Sequence, residues 1–305
     1  MSIVNLAQIR DLLRPGLDEI LVDQDSYGEQ WAEIFKTTQS SMAEEYDIEM
    51  RSLGAASIVS EGAPIPVDTM GQRVKNVYRH LLVANSFAVT KIAVDDNQYK
   101  NQFFNEARAL KASLKDTKNQ LGANILNNAF NPAYAYGTGQ PACSATQPID
   151  NGSYSNLLVA GGGATIDFGE GALEAMIILS QKTRSWSGLR VALKIDKLIV
   201  HPDEQFAASR LLDSAFRPET ANNDINALNK NNYIPNGYRV NEFLTRSGAF
   251  FMLTNALSGM KHMQRQAVET DAYADFDTKS VKFSALERYS FGISNPRALF
   301  GSPGA

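Results

Sequence analysis

Apolar residues recur at three- and four-residue steps through Phe103, Ala107, Leu110, Leu114, Thr117, Leu121 and Ile125, a single narrow helical stripe. The spacing predicts a helix over residues 97–128, capped at its start by Asp95-Asp96. Lys100, Glu106, Lys111, Lys115 and Lys118 lie off the stripe. At 1.5 Å per residue the helix is about 45–50 Å long, nearly three times the average. One narrow stripe on so long a helix describes a brace resting on a single surface. Its lysine face reads as solvated or turned to another subunit rather than as a nucleic-acid patch.

Elsewhere the pattern is shorter and more broken. Pro15-Gly16 interrupts a short helix near the start. Residues 28–42, carrying Trp31, Ile34 and Phe35, read as an amphipathic helix followed by the acidic Glu44, Glu45, Asp47 and Glu49. This opening has too few apolar positions for a domain and reads as an arm lying on something else. Two β-leaning stretches follow on either side of Ser60-Glu-Gly-Ala-Pro-Ile-Pro66, the second through Val74, Val77, Tyr78, Leu81, Val83, Phe87 and Val89. A lone two-stranded excursion is marginal in water, so a projecting one must lie on another subunit.

Residues 131–163 are turn-rich, with Asn131-Pro, Asn151-Gly and Gly161-Gly-Gly163. A helix over 171–184 and a strand over 197–200 come next. In His201-Pro202-Asp203, Pro202 opens a helix with Asp203 and Glu204 in its first turn. That helix is expected to bury Phe206, Ala207, Leu211, Leu212 and Phe216 and to end before Pro218. Residues 222–232 form an asparagine-rich exposed loop. Strands are expected over 238–244, 249–253 and 280–291. From Tyr289 the chain alternates aromatic and apolar residues into a Gly/Pro terminus that can continue neither a helix nor a central strand. There is no internal repeat and no linker separating two domains.

Composition narrows the class. The 305 residues are 44% hydrophobic and 20% charged, enough for a sizeable core without staples. One cysteine, Cys143, excludes an intrachain disulfide framework. No apolar run approaches the roughly 20 residues of a membrane span. Arg10 follows the first apolar residues without a long apolar stretch, so the start is not a signal peptide, and synthesis in the cytoplasm is expected. A net charge of −4 argues against tight nucleic-acid binding. His80, His201 and His262 are far apart and share no metal-ligand spacing. Gly-x-Ser-x-Gly is absent, and Gly161–Gly163 lacks the Lys-Ser/Thr ending of a phosphate loop. No catalytic residue, cofactor or metal is expected.

The order of parts is specific. Ser153-Tyr-Ser-Asn-Leu157 precedes Lys197-Leu-Ile-Val-His-Pro-Asp-Glu-Gln-Phe-Ala-Ala-Ser-Arg-Leu-Leu-Asp-Ser214, then Ala221-Asn-Asn-Asp-Ile-Asn226 and the closing Gly-Pro-Gly tail. From about residue 51 onward this resembles the major capsid proteins of tailed bacteriophages, closest to the Mu-like major head subunit group. The resemblance implies an α+β, Hong Kong 97-like capsid fold. It divides the chain into an N-terminal arm (1–52), an extended E-loop hairpin (53–85), a P-domain with a long spine helix (86–140), a mainly A-domain region (141–270), and return strands of the P-domain with the tail (271–305). It also implies a non-enzymatic subunit that assembles through pentamers and hexamers into an icosahedral shell. That shell would enclose double-stranded DNA without sequence-specific binding, in a virion made in the bacterial cytoplasm, with a portal and a separate scaffolding protein as partners and no membrane. Inter-subunit contacts are expected at Trp31, Phe35, Pro64, Ile65, Pro66, Lys75, Tyr78, Asn222, Asn223 and Asn226. Lys75 is the natural lysine for a covalent cross-link, but no motif marks a partner asparagine, so it is expected to be solvated or ion-paired. An encapsulin-type nanocompartment shares the implied fold, and a soluble α+β enzyme is the rival from another class.

Overall fold

The computed structural model describes residues 6–22, 28–95, 99–160, 163–216, 224–275 and 277–304. The chain runs α1 (Leu6–Val22), β1 (Lys36–Gln39), β2 (Glu44–Arg51), β3 (Gly71–Arg79), β4 (Leu81–Thr90), α2 (Lys91–Asp95) and α3 (Tyr99–Asn127). The hairpin β5 (Gln147–Ile149) and β6 (Gly152–Tyr154) precedes α4 (Glu170–Gln181), β7 (Ile195–Val200), α5 (Gln205–Asp213) and α6 (Ala227–Lys230). It ends with β8 (Tyr238–Val240), β9 (Phe250–Thr254), β10 (Met260–Asp275), β11 (Ser280–Ile293) and β12 (Leu299–Ser302). Two compact units result. The first holds residues up to 45, 79–121 and 262–290; the second holds 46–78, 122–261 and 291 onward. Every passage between them falls inside β2, β3, α3, β10 or β11, so no linker is legible in the sequence.

The first unit is built on a four-stranded sheet in the order β1-β10-β11-β4. Strands β11 and β4 pair antiparallel from Ser280↔Thr90 to Tyr289↔Leu81. Leu17 of α1, Phe103, Leu110 and Leu114 of α3, and Val89, Val281 and Phe283 of the sheet form one buried cluster. The Phe283 ring lies 5.2 Å from Phe103 and 5.4 Å from Phe87.

The second unit centres on a sheet in the order β12-β9-β7-β8, with β7 antiparallel to β9 and parallel to β8. Its inner strands are buried on both faces, Leu198 to Val200 and Phe250 to Met252 alike. That is why they read as continuous apolar runs and not as alternations. Leu173 and Met176 of α4, Ala208 of α5 and Leu228 of α6 join this core. The terminus lies on the sheet's edge as β12, paired with β9 from Leu299↔Leu253 to Ser302↔Phe250. Gly304 has φ +68°, and a Cβ there would fall 2.2 Å from the Gly248 backbone, so only glycine fits.

Several expectations change. Helix α1 runs through Pro15-Gly16 without a break, because Leu13, Leu17, Ile20 and Leu21 bury one face in the first unit's core. Residues 28–42 are not a helix but a short 3-10 turn, Gln30–Glu33, leading into β1. Thr37 and Thr38 favour the strand, and pairing with β10 overrides the amphipathic spacing. Helix α3 exists but is no single-surface brace. Phe103, Ala107, Leu110 and Leu114 are buried; further on, Asn119, Ala123 and Leu126 replace Thr117, Leu121 and Ile125. The helix passes from one unit to the other after Leu121, so its two ends serve different cores.

Its lysine face is likewise not solvated throughout: Lys111 is buried and donates to Ile20 O at 2.9 Å. Asp95 lies in α2, and the expected cap at Asp96 falls outside the described residues. In α5, Ala208, Leu211 and Leu212 turn to the core, leaving Phe206 on the opposite face, 68% exposed. Phe216 is exposed as well. Residues 227–230 of the expected loop form α6. The sixteen-residue β10 went unforeseen, because its polar sequence shows no apolar alternation until a sheet supplies partners. It joins residues 262–270 to the first unit, while the closing segment from 291 belongs to the second.

Candidate functional site

Among the described residues, strands β2 and β3 pair only with each other, and β2 is patterned inside out. From Glu45 on, its odd-numbered residues are acidic or basic and turn inward, and the even-numbered Tyr46, Ile48 and Met50 turn outward. Asp47 is paired with Lys261. Burial works against the Asp47 charge, but hydrogen bonds from Lys261 and Ser294 hold its carboxyl below the usual range. Glu49 accepts from Arg297 Nη1 at 2.7 Å. Burial pushes its carboxyl up, against the pull of the Arg297 charge. The Arg297 guanidinium lies 5.0 Å from the Tyr154 ring and 5.5 Å from the Trp186 ring. Outward, Tyr46, Ile48 and Met50 are 49%, 44% and 52% exposed, and Val77 of β3 is exposed too. Lys75 lies exposed on this ribbon with its ammonium 3.8 Å from the centre of the Tyr46 ring, a cation–π contact in addition to the expected solvation.

Between the two strands, residues 52–70 leave the ribbon with no helix or strand, and nearly all of them are exposed. Arg51 ties the base, donating to Asp150 Oδ2 at 2.5 Å, Asp68 Oδ1 at 2.8 Å and Thr69 O at 2.6 Å. Arg73 adds a second bond to Asp150 at 2.8 Å. Asp68 also accepts from Gly54 N at 2.7 Å, which closes the loop. That backbone bond and the Arg51 guanidinium hold the Asp68 carboxyl down at about 2. Pro64, Ile65 and Pro66 lie exposed on this excursion, with Ile65 82% and Val67 91% accessible.

The other expected contact residues are placed differently. Trp31 and Phe35 are buried in the first unit; the Trp31 backbone N–H donates to Asn119 Oδ1 at 3.3 Å and the Trp31 ring lies 4.3 Å from His262. Tyr78 is buried in the second, its hydroxyl 2.5 Å from Ser294 Oγ and its ring against Gly292. Asn226 is buried; it caps α6 and donates to Leu211 O and Ser214 O at 2.6 and 3.0 Å. These four side chains serve the subunit's interior. Asn222 and Asn223 lie outside the described residues. What sequence reasoning missed is the row Tyr46, Ile48, Met50. The alternation is present in the sequence, interleaved with the acidic Glu45, Asp47 and Glu49.

Two arrangements bear on catalysis. Ser40 Oγ lies 2.9 Å from His80 Nε2, yet it donates its own proton to Glu45 at 2.7 Å. It therefore receives the imidazole N–H, the reverse of a nucleophile–base pair. A pocket of about 500 Å³ is lined by Met50, Leu257, Glu49 and Arg297; Glu49 Oε1 and Arg297 Nη1 bond each other, while Glu49 Oε2 and Arg297 Nη2 are buried without a hydrogen-bond partner. No helix among the described residues is long and apolar enough to cross a membrane.

The solved structures with a similar fold include a Mycobacterium phage Bobi structure, 14% identical with a TM-score of 0.53, covering 96% of this chain and 93% of that one. The crystal structure of a phage-related protein from Bordetella bronchiseptica RB50 is 11% identical with a TM-score of 0.53, covering 94% and 95%. A virus-like particle from Pyrococcus furiosus is 13% identical with a TM-score of 0.51, covering 95% and 98%. The fold is thus the α+β, Hong Kong 97-like one. No curated protein matches the sequence. The family described as phage capsid protein matches residues 83–301, well over half of the chain, and the protein therefore belongs to the phage capsid protein family.

Proposed function

We propose that copies of this subunit form pentamers and hexamers that close into an icosahedral shell around double-stranded DNA. One observation carries the reading: the inverted strand β2, with its charges turned inward and Tyr46, Ile48 and Met50 turned outward beside the exposed 52–70 excursion. A subunit that stayed alone would gain by the opposite arrangement, since exposed contiguous apolar surface marks an interaction site. Many modest contacts per subunit multiply into avidity. Within this reading, residues 53–85 act as the E-loop and α3 as the spine helix. Ile65, with Pro64, Pro66 and Lys75, faces neighbouring subunits. A portal and a separate scaffolding protein complete the assembly, and the mildly acidic chain contains DNA without gripping its sequence.

The test is sizing and negative-stain microscopy of purified protein, with and without residues 55–67. The parent chain is expected to give closed particles of uniform size. The deletion, which keeps the Arg51–Asp68 base, is expected to give a folded subunit that forms none. Normal shells from the deletion would refute the proposal. The fold similarity to a virus-like particle favours a second reading, a nanocompartment that encloses protein cargo; the contents of the particle decide between the two.

A further inference from the structure

The pocket beside Met50 lies wholly within the second unit, and its volume of about 500 Å³ is that of a small-molecule site. Met50, Val191, Leu193, Ala256 and Leu257 give it apolar walls, and Glu49, Trp186 and Arg297 line it too. A guanidinium and a carboxylate can close as a fork, with two parallel bonds. This pair is joined through one bond only, Arg297 Nη1 to Glu49 Oε1 at 2.7 Å. Arg297 Nε donates instead to Arg184 O at 2.9 Å. Arg297 Nη2 and Glu49 Oε2 are left over, buried and without a hydrogen-bond partner among the described residues. Trp186 Nε1 is a third such atom. Its N–H bears on the Glu49 carboxyl enough to ease the charge but makes no hydrogen bond. Arg297 is 4% exposed and Trp186 8%, so bulk solvent does not complete them. The other polar side chains of the wall are engaged. Asn255 Oδ1 accepts from Lys194 N–H at 3.0 Å, Ser185 Oγ from Leu189 N–H at 3.1 Å and Asn295 Oδ1 from Arg297 N–H at 3.0 Å, while Ser52 Oγ lies 2.9 Å from Ser187 Oγ.

Buried polar groups without partners are rare in native proteins, and here three of them belong to residues around one cavity. Together they call for a group that donates to Oε2 while accepting from Nη2 and the indole. A carboxylate has no N–H and adds a second negative charge beside Glu49; an ammonium has no acceptor and adds a positive charge beside Arg297. A carboxamide supplies both functions, with two N–H donors and two lone pairs on its oxygen, and brings no charge to a pair that is already neutral. We propose that this cavity binds a primary amide carried on an apolar body. Its N–H donates to Glu49 Oε2, and its oxygen accepts from Arg297 Nη2 and Trp186 Nε1. Because those atoms are closed to solvent, a wall side chain must swing aside to admit the amide; Met50, unbranched and 52% exposed, has that freedom. The site is independent of the shell reading, and its failure would leave that reading untouched.

The test is NMR of the full chain as the disassembled subunit, labelled at its indole nitrogens. There are two tryptophans, so two indole signals, and Trp186→Phe identifies each. Benzamide is expected to move the Trp186 signal saturably and to leave that of Trp31, buried in the first unit, in place. Acetophenone keeps the carbonyl but lacks the N–H, and benzoate carries a charge in its place; both are expected to bind weaker by about tenfold or more. Ala192→Phe, at an exposed wall position, should fill the cavity, melt like the parent and weaken benzamide by a similar factor. Propionamide, the glutamine side chain cut at Cβ, separates two sources of the amide. Binding tighter than benzamide marks a polypeptide glutamine and weaker binding a small aromatic ligand; either supports the site. A Trp186 signal that benzamide does not move would overturn the proposal. So would acetophenone or benzoate binding as well as benzamide, or unchanged benzamide affinity in a folded Ala192→Phe chain.

Discussion

Replacing Glu287 by glutamine removes one half of a buried ion pair at the centre of the first unit. Lys118 Nζ lies 3.0 Å from Glu287 Oε2, with the side chains 12% and 3% exposed. The ammonium also sits 4.8 Å from the Trp31 ring and 4.7 Å from the Tyr289 ring. Two unit charges 3 Å apart attract by roughly 5 kcal/mol at an effective dielectric near 20. Taking both from water costs several kcal/mol per ion, so the intact pair contributes little net stability. Removing one partner is different, because the other stays buried and uncompensated. Glu287→Gln is expected to cost about 3–5 kcal/mol, less whatever the two rings return to the ammonium, about 1–2 kcal/mol.

Lys118→Met should cost a similar amount at neutral pH. Burial already holds the Glu287 carboxyl above its usual range, against the Lys118 charge. Without Lys118 it rises further, so the loss is greatest above the raised value and is relieved as pH falls through it. The double variant Lys118→Met/Glu287→Leu should recover to within about 1 kcal/mol of the parent. Urea unfolding of the disassembled subunit measures all three. A Glu287→Gln loss below about 1 kcal/mol, or a double variant as unstable as either single one, would refute the reasoning.

Three further outcomes follow from the same structure. Burial, with Lys118 nearby, lowers His262 to about 3; the unfolded chain binds the proton first, so stability falls as pH drops below about 6.5 toward 3, and His262→Phe should flatten that acid limb in a melting series. Asp68, held at about 2, contributes above its unfolded value and is lost as pH falls through 2; Asp68→Asn should therefore raise protease cleavage within residues 52–70 at pH 7, which the parent shows only in strong acid. A Cβ on Gly292 would lie 2.5 Å from Tyr78 Cε1, so Gly292→Ala should cost about 1–3 kcal/mol in unfolding, and adding Tyr78→Leu should make the alanine better tolerated.

Local chemistry alone determined those elements whose signals are contained in a few neighbouring residues. The three- and four-residue spacing marked α3, Pro202 with its acidic followers marked the turn that leads into α5, and the Gly/Pro terminus excluded a helix or a central strand. The order of these elements was also enough to suggest the fold. Tertiary structure decided where propensity was weak or contradicted. Pairing with β10 made Lys36–Gln39 a strand, and core contacts carried α1 across Pro15. Inward partners turned the acidic residues of β2 into an internal ion network: Lys261 and Arg297 lie more than 200 residues away in sequence. Which face of a strand meets solvent depends on what stands opposite it. No spacing rule could therefore show that Tyr46, Ile48 and Met50 are left exposed while Trp31 and Tyr78 are buried.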